Sequence, residues 1–211
     1  MKKICFVIMG FGKKTDHELG ITYNLDQTYK NIIKPAVINA GYQCVRADEI
    51  RESGLIDKSM YALLMQSDLV IADISTYNPN AVYELGIRHA VRPFSTIILK
   101  EKNGKIPFDL DHTRMFTYHH LGDDIGKDEA DRCVRELTNL IMAVSKSNKV
   151  DSPLYEHISN VTPPVLPPEE YQKIIGDLAE KEESIFAITD TAKNYMATTP
   201  ADFNNAAKFW E

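Results

Sequence analysis

The sequence is poor in cysteine and in long apolar runs, and both shortages narrow the class of protein. Its three cysteines, Cys5, Cys44 and Cys133, are widely spaced, and no pair has the spacing of metal ligands. A disulfide framework is therefore not expected, and a reducing cytoplasm fits best. The first apolar run, Ile4–Met9, is too short for the core of a signal peptide, and no stretch approaches the length of a membrane span.

Basic side chains are in deficit as well, since 24 lysines and arginines stand against 30 aspartates and glutamates, for a formal net charge of -6. The basic surface typical of nucleic-acid-binding domains is absent overall, so no nucleic-acid partner is expected. A metal site is not expected either, because His119 and His120 are neighbours in a strand pattern and would point to opposite faces. No cofactor is expected.

Short apolar runs alternate with helical patterns through the first two thirds of the chain. The helical pattern from Leu25 to Ala40 is interrupted at Pro35, and a long amphipathic helix is predicted over 128–146. This alternation predicts an α/β fold with a doubly wound, parallel, five-stranded sheet, and the short strands favour a flavodoxin-like order. Residues 13–23 are polar and irregular. The predicted strands are Ile4–Met9, Tyr42–Ala47, Leu69–Asp73, Ser95–Lys100 and Met115–Tyr118.

Proline marks a change of character near residue 150. Residues 1–149 form the predicted α/β domain, 150–168 a proline-rich linker, and 169–211 a helical appendage that either docks back or begins a longer helical region. A fragment ending near Lys149 is therefore expected to fold alone. The apolar stripes of the appendage must be buried against a partner, and a homo-oligomer is expected. The stripes consist of Tyr171, Ile174, Ile175 and Leu178, and of Ile185, Phe186, Ile188 and Ala192.

The most informative stretch is Asp73–Ala90, which reads DISTYNPNAVYELGIRHA. It starts at the end of a buried strand, and Asn78 followed by Pro79 is a helix-start signal. Asp73, Asn78 and Glu84 are therefore gathered near the carboxyl end of one strand, which is where open α/β sheets bind their ligands.

Gly86 decides the predicted orientation of the helix that follows. A glycine inside a helix costs about 1 kcal/mol relative to alanine, so we interpret it as a close approach to the sheet. Glu84 lies roughly 200° away around the helix axis and would then face the crevice. Arg88, one turn further on, could pair with Glu84, and an ordinary surface pair is the alternative interpretation of these two residues.

Two further segments, the turn after the first strand and the end of the second strand, contain candidate binding residues. Gly10–Gly12 follows the first strand, but Thr15 stands in the place of the third glycine of a dinucleotide-binding fingerprint. This turn is either a close backbone approach to a ligand or a simple connection. Arg46 ends the second strand, where it would either bind a phosphate or carboxylate or pair with Asp48 or Glu49.

Asp73, the NPN turn at 78–80 and the segment Tyr83–Gly86 resemble the core motif of the nucleoside 2-deoxyribosyltransferase-like superfamily. The resemblance is closest to a TIR-like bacterial branch with an NPN-x-x-YELG motif, and it runs from about Ile4 to Tyr118. It implies that Glu84 corresponds to the glutamate that attacks the anomeric carbon of a nucleoside. The transferases usually carry an aspartate six residues before that glutamate, and this chain departs from the pattern with Asn78.

The resemblance implies cleavage or transfer at the N-glycosidic bond of a nucleoside, nucleotide or NAD-like dinucleotide. Glu84 would attack or stabilise the oxocarbenium-like sugar, while Asp73 would orient the sugar or activate water. Two alternatives stay open: a non-catalytic nucleotide-binding sensor, and a TIR-like signalling or assembly module. The expected substrate-binding residues are Met9, Gly10, Phe11 (stacking on a base), Arg46, Asn78, Asn80 and Arg88.

Overall fold

Five parallel strands form the central sheet of the structure, a computed structural model that describes residues 3–49, 56–106, 108–174 and 176. The sheet order is β4-β1-β5-β6-β7, whereas β2 and β3 pair with each other as a hairpin. All neighbouring strands of the sheet are parallel, so the predicted flavodoxin-like α/β fold is confirmed. The strands are β1 (Ile4–Ile8), β2 (Lys13–Asp16), β3 (Ile21–Asn24), β4 (Gln43–Arg46), β5 (Leu69–Asp73), β6 (Thr96–Glu101) and β7 (Met115–Tyr118).

Helices connect the strands of the sheet. Short 3₁₀ turns follow β4 at Ala47–Glu49 and β5 at Ser75–Tyr77, and a third lies at Phe108–Leu110. No helix in the described ranges is long and apolar enough to cross a membrane. The helices are α1 (Leu25–Thr28), α2 (Lys34–Asn39), α3 (Ile56–Gln66), α4 (Pro79–Val91), α5 (Lys127–Val144) and α6 (Pro153–His157).

The core lies on both faces of β1 and β5, whose residues are all buried because these strands occupy the middle of the sheet. Side chains of successive strand residues point to opposite faces. The strand side chains on one face of the sheet pack with α2 and α5 in a single apolar cluster, to which Val37 and Leu137 belong. On the other side α3 packs against α4, and Leu63 and Leu85 are buried there.

Pro35 shapes the helical segment between β3 and β4. The predicted helix from Leu25 to Ala40 is present, but a π-helical turn at Tyr29–Ile33 separates α1 from α2. Pro35 has no backbone N–H to offer the carbonyl of Asn31, and its ring crowds the preceding turn. The wider π turn accommodates this defect without ending the helix.

Residues 13–24 form an ordered hairpin, so the prediction of an irregular segment there is wrong. Its turn closes at Gly20, whose φ of 68° suits glycine and whose N–H donates to Asp16 O at 2.8 Å. The buried Tyr23 donates a hydrogen bond of 3.4 Å to Glu101 at the carboxyl end of β6. The hairpin therefore lies at the carboxyl ends of the strands of the sheet.

The first compact unit extends to Leu166, beyond the predicted boundary at residue 149. Asp151 Oδ2 accepts a hydrogen bond from the backbone N–H of Thr96 at 2.9 Å, and Ser152 Oγ donates to His89 O at 2.6 Å. These bonds hold the start of the predicted linker against β6 and α4, which moves the boundary of the α/β domain. A second unit begins at Pro167, and residues 168–174 in it are helical. The predictions for Ile175 and for 177–211 lie outside the described residues.

Candidate active site

The turn after β1 meets the first turn of α4 at the carboxyl edge of the sheet. β1 lies between β4 and β5, so the order of the strands reverses here, and ligands of open α/β sheets bind at such a switch point. A Cβ added to Gly10 would lie 3.1 Å from Asn78 Nδ2, so the glycine permits a close approach of the two segments. Met9 and Gly10 are buried, whereas Phe11 is exposed. These predicted binding residues are therefore gathered at one place.

Asn78 caps α4, as its sequence position predicts. Its Oδ1 accepts hydrogen bonds from the backbone N–H groups of Asn80 at 3.0 Å and Ala81 at 3.2 Å. Pro79 occupies the first helical position, where no N–H is needed. The oxygen of Asn78 is thus engaged by the helix and its amide nitrogen lies near Gly10, while Asn80 is exposed.

Glu84 lies in the second turn of α4 and is half-buried. Its carboxylate makes no hydrogen bond or ion pair with any residue that the structure describes. Burial raises the pKa of Glu84 from 4.5 to about 7. A carboxyl group that titrates near neutral pH can exchange a proton with a substrate, or attack a carbon centre once it is ionised.

Gly86 is exposed, so the predicted close approach to the sheet is wrong. No atom lies within 4 Å of a Cβ added there. The buried stripe of α4 is formed instead by Ala81, Leu85, Arg88 and His89. Glu84 lies beside this stripe, three residues after Ala81 and four before Arg88, which explains its partial burial.

Replacing Gly86 by alanine will stabilise the fold by about 0.5–1 kcal/mol, because alanine loses less backbone entropy and the added methyl group meets no atom. The midpoint of urea unfolding measures the effect. Gly12→Ala is the contrasting variant, since Gly12 also has open space but a φ of 65°, and it will destabilise the protein. A lower midpoint for Gly86→Ala would contradict the exposed position of this helix face.

Arg88 is fully buried on the inner face of α4 and does not pair with Glu84. Its Nε donates to Thr96 Oγ1 at 3.3 Å, and its two terminal nitrogens donate to backbone carbonyls at the end of α3 and in the loops before β5 and β6. Arg88 therefore anchors α4 and exposes no surface to a ligand, unlike the role predicted for it. The carbonyls belong to Leu64, Ser67, Phe94 and Ser95.

Asp73 ends β5 and is fully buried, with both carboxylate oxygens engaged. The Tyr118 hydroxyl donates to its Oδ2 at 2.7 Å, and the backbone N–H of Ser75 donates to its Oδ1 at 2.9 Å. Burial raises the pKa of Asp73, and these hydrogen bonds act in the opposite direction. Thr28 Oγ1 donates to the Tyr118 oxygen at 3.3 Å, and the Glu101 N–H donates to Ser75 Oγ at 2.7 Å. Asp73 thus fixes the turn that follows β5.

That turn contains two adjacent residues with left-handed backbone, Thr76 with φ 62° and Tyr77 with φ 50°. Such conformations cost on the order of 1–3 kcal/mol each in residues other than glycine. Neither residue is predictable from the sequence as part of a site, because neither threonine nor tyrosine signals positive φ. The roles of Tyr118 and Glu101 are not predictable either, because they depend on the register of β6 and β7.

Arg46 is engaged by carboxylates of the protein itself. Its Nε and Nη2 donate to Asp48 at 2.5 and 2.6 Å, and its Nη1 donates to Asp26 at 2.8 Å. Its guanidinium carbon lies 4.3 Å from the centre of the Tyr29 ring and 5.3 Å from that of Phe11. Of the two interpretations of Arg46, the pair with Asp48 is the one observed, and the guanidinium stacks against Phe11.

In the described part of the chain, no group of three or more histidine, cysteine, aspartate or glutamate side chains is arranged to hold a metal ion. Comparison with protein-family models gives no match, and no curated protein matches the chain. The geometry and chemistry of the site are therefore the basis for a functional proposal.

Proposed function

We propose that the protein cleaves or transfers the N-glycosidic bond of a nucleoside, nucleotide or NAD-like dinucleotide, with Glu84 as the reacting carboxylate. One observation carries the proposal: Glu84 is half-buried, has no partner among the described residues, and has a pKa raised to about 7 by burial. Burying a carboxylate without a partner costs free energy, and such perturbed groups cluster at functional sites.

Glycosidic cleavage passes through an oxocarbenium-like sugar, which a carboxylate beside the anomeric carbon stabilises or attacks. In the attack, an oxygen of ionised Glu84 bonds to the anomeric carbon as the carbon–nitrogen bond breaks. The electron pair of that bond leaves with the base. A purine or pyrimidine leaves as an anion that takes a proton from water, whereas nicotinamide leaves NAD as a neutral molecule. A water molecule, or an acceptor base in a transfer reaction, then displaces Glu84 from the sugar and restores the carboxylate.

The other candidate residues divide into two groups under this proposal. Phe11 and the amide nitrogen of Asn78 are proposed to contact the ligand, since Phe11 is exposed, the Asn78 nitrogen lies near Gly10, and Asn80 is exposed in the first turn of α4. Asp73 and Arg88 are buried and support the turn and the helix that present Glu84. Under this proposal, Asp73 and Arg88 hold Glu84 and the preceding turn in position.

A nucleotide-binding sensor without catalytic activity is the second candidate. Glycosidases generally use two carboxyl groups at the reacting bond. Here the oxygens of Asp73 are bonded within the protein, and Asn78 stands in the place where the resemblance expects an aspartate. Glu84 would then be a ligand contact that needs no second carboxylate.

Incubation of the protein with adenosine, 2′-deoxyadenosine and NAD, followed by chromatography, tests the proposal. We expect release of free adenine or nicotinamide. The rate at limiting substrate will rise as the pH increases through about 7, because only the ionised form of Glu84 attacks and its pKa is about 7. Ligand-dependent thermal stabilisation without any released base would support the sensor instead.

A further inference from the structure

The turn Ser75–Tyr77 combines strain with a complete set of supporting bonds. Thr76 and Tyr77 have positive φ although neither is glycine. The supporting bonds converge on Ser75, whose Oγ lies 3.0 Å from the Tyr118 hydroxyl and accepts from the N–H of Glu101 at 2.7 Å. Strained conformations of this kind persist where the surrounding structure holds them, and they cluster at ligand-binding sites.

The two sides of the turn differ in how their polar groups are satisfied. Asp73 and Ser75 face inward, are fully buried, and have hydrogen-bond partners. Thr76 and Tyr77 are only half-buried, and their hydroxyls have no hydrogen-bond partner within the described ranges. Glu84, in the second turn of α4, is likewise half-buried and has no partner among the described residues. The strained turn therefore carries hydroxyl groups that form no hydrogen bond with any described residue of the protein.

The turn lies at the carboxyl edge of the sheet, where ligands of open α/β sheets bind. It joins the carboxyl end of β5 to the start of α4, beside the switch point of the sheet. The hairpin strand β2 packs against it, and Tyr77 lies close to the acidic groups of Asp16 and Glu18. Hydroxyls and carboxylates therefore lie close together beside the turn, and groups of both kinds bind the hydroxyls of a sugar.

We propose that Thr76 and Tyr77 are specificity-determining residues whose hydroxyls bind the ribose hydroxyls of a nucleoside held against Glu84. The inference rests on the proposed function for the identity of the ligand class. A site built to hydrogen-bond a substrate hydroxyl discriminates strongly against an analogue that lacks it, because the polar groups of the site are then left unpaired.

Isothermal titration of the full chain carrying Glu84→Gln, which blocks turnover, tests the proposal. The probes are adenosine, guanosine, cytidine and uridine with their 2′,3′-dideoxy forms. We expect at least one ribonucleoside to bind about tenfold or more tightly than its dideoxy form. Adding Tyr77→Phe or Thr76→Gly will reduce this ratio severalfold, and adding both will reduce it to about one, while the dideoxy form keeps its affinity within about threefold.

Asn160 provides the matched control, because it is exposed and has a similar φ of 65°. Thr76→Gly will raise the melting temperature by about 2–4 °C through relief of strain, whereas Asn160→Gly will change it little because asparagine adopts left-handed backbone readily, and only Thr76→Gly will change the ratio. An unchanged ratio in both turn variants overturns the inference, as does the absence of binding by every nucleoside. Cleavage by the parent protein with unchanged ratios would overturn the inference alone, whereas changed ratios without cleavage would overturn the enzymatic function alone.

Discussion

Replacing Glu84 by glutamine will slow N-glycosidic cleavage by on the order of a thousandfold or more. Glutamine keeps the size of the side chain and its capacity for hydrogen bonds, but it loses the charge that attacks or stabilises the sugar. The rate of base release measures the effect. Glu136→Gln is the matched control, since Glu136 is a partly exposed carboxylate paired with Arg132 on α5. Turnover of Glu84→Gln within tenfold of the parent would show that Glu84 is not the reacting group.

The same substitution will stabilise the folded protein above about pH 7. Burial raises the pKa of Glu84 from 4.5 to about 7, so the folded state binds more protons than the unfolded state between these values. The free energy of unfolding therefore falls as the pH rises through this window, and glutamine removes that loss. We expect a gain on the order of 1–2 kcal/mol at pH 8, reduced from the full shift because part of the carboxyl stays in water.

Urea unfolding of the parent and of Glu84→Gln at pH 4 and pH 8 measures this gain. At pH 4 the two proteins will have nearly equal stability, because Glu84 is then protonated in both the folded and the unfolded state. A loss of activity together with a gain in stability is the behaviour expected of a residue kept for chemistry. A glutamine variant that is less stable than the parent at pH 8 would show that the carboxylate has a stabilising partner.

The sheet and its order were predictable because the signal lies in short, continuous apolar runs. Leu69–Asp73 and Met115–Tyr118 are strands with the predicted bounds. Parallel strands buried on both faces need such runs, and the helices between them leave few possible connections. The proposed position of the site rests on the same kind of rule, because Asp73 and Asn78 lie where the strand order reverses.

The parts that the sequence did not predict depend on contacts between distant residues. Half of the strand residues of the hairpin 13–24 are exposed, and the hairpin is held by the bond of Tyr23 to Glu101, which lies 78 positions away. The meaning of Gly86 depended on which face of α4 is buried, and a glycine does not identify that face. Hydrogen bonds to backbone carbonyls offset the cost of burying the charged Arg88 side chain. Such bonds cannot be read from a pattern of side chains.

Replacing Arg88 by methionine will destabilise the fold by about 3–5 kcal/mol. Methionine fills a similar volume, but the carbonyl groups of Leu64 and Ser95 and the hydroxyl of Thr96 then lose their donor in a buried place. The nearby carboxylate of Asp151 also loses a favourable charge, since Arg88 acts against the rise that burial causes in its pKa.

Urea unfolding followed by circular dichroism measures this loss, and the slope of the transition shows whether the unfolded state has changed. Arg135→Met is the matched control, because Arg135 is exposed on α5 and has no ion pair or hydrogen bond among the described residues, so we expect a change within about 0.5 kcal/mol. The stability of Arg88→Lys will lie between those of Arg88→Met and Arg135→Met, because lysine keeps the charge but has no planar guanidinium to bind several carbonyls at once. If Arg88→Met is no less stable than Arg135→Met, Arg88 does not anchor α4, and the orientation of Glu84 must be fixed by the apolar stripe of the helix alone.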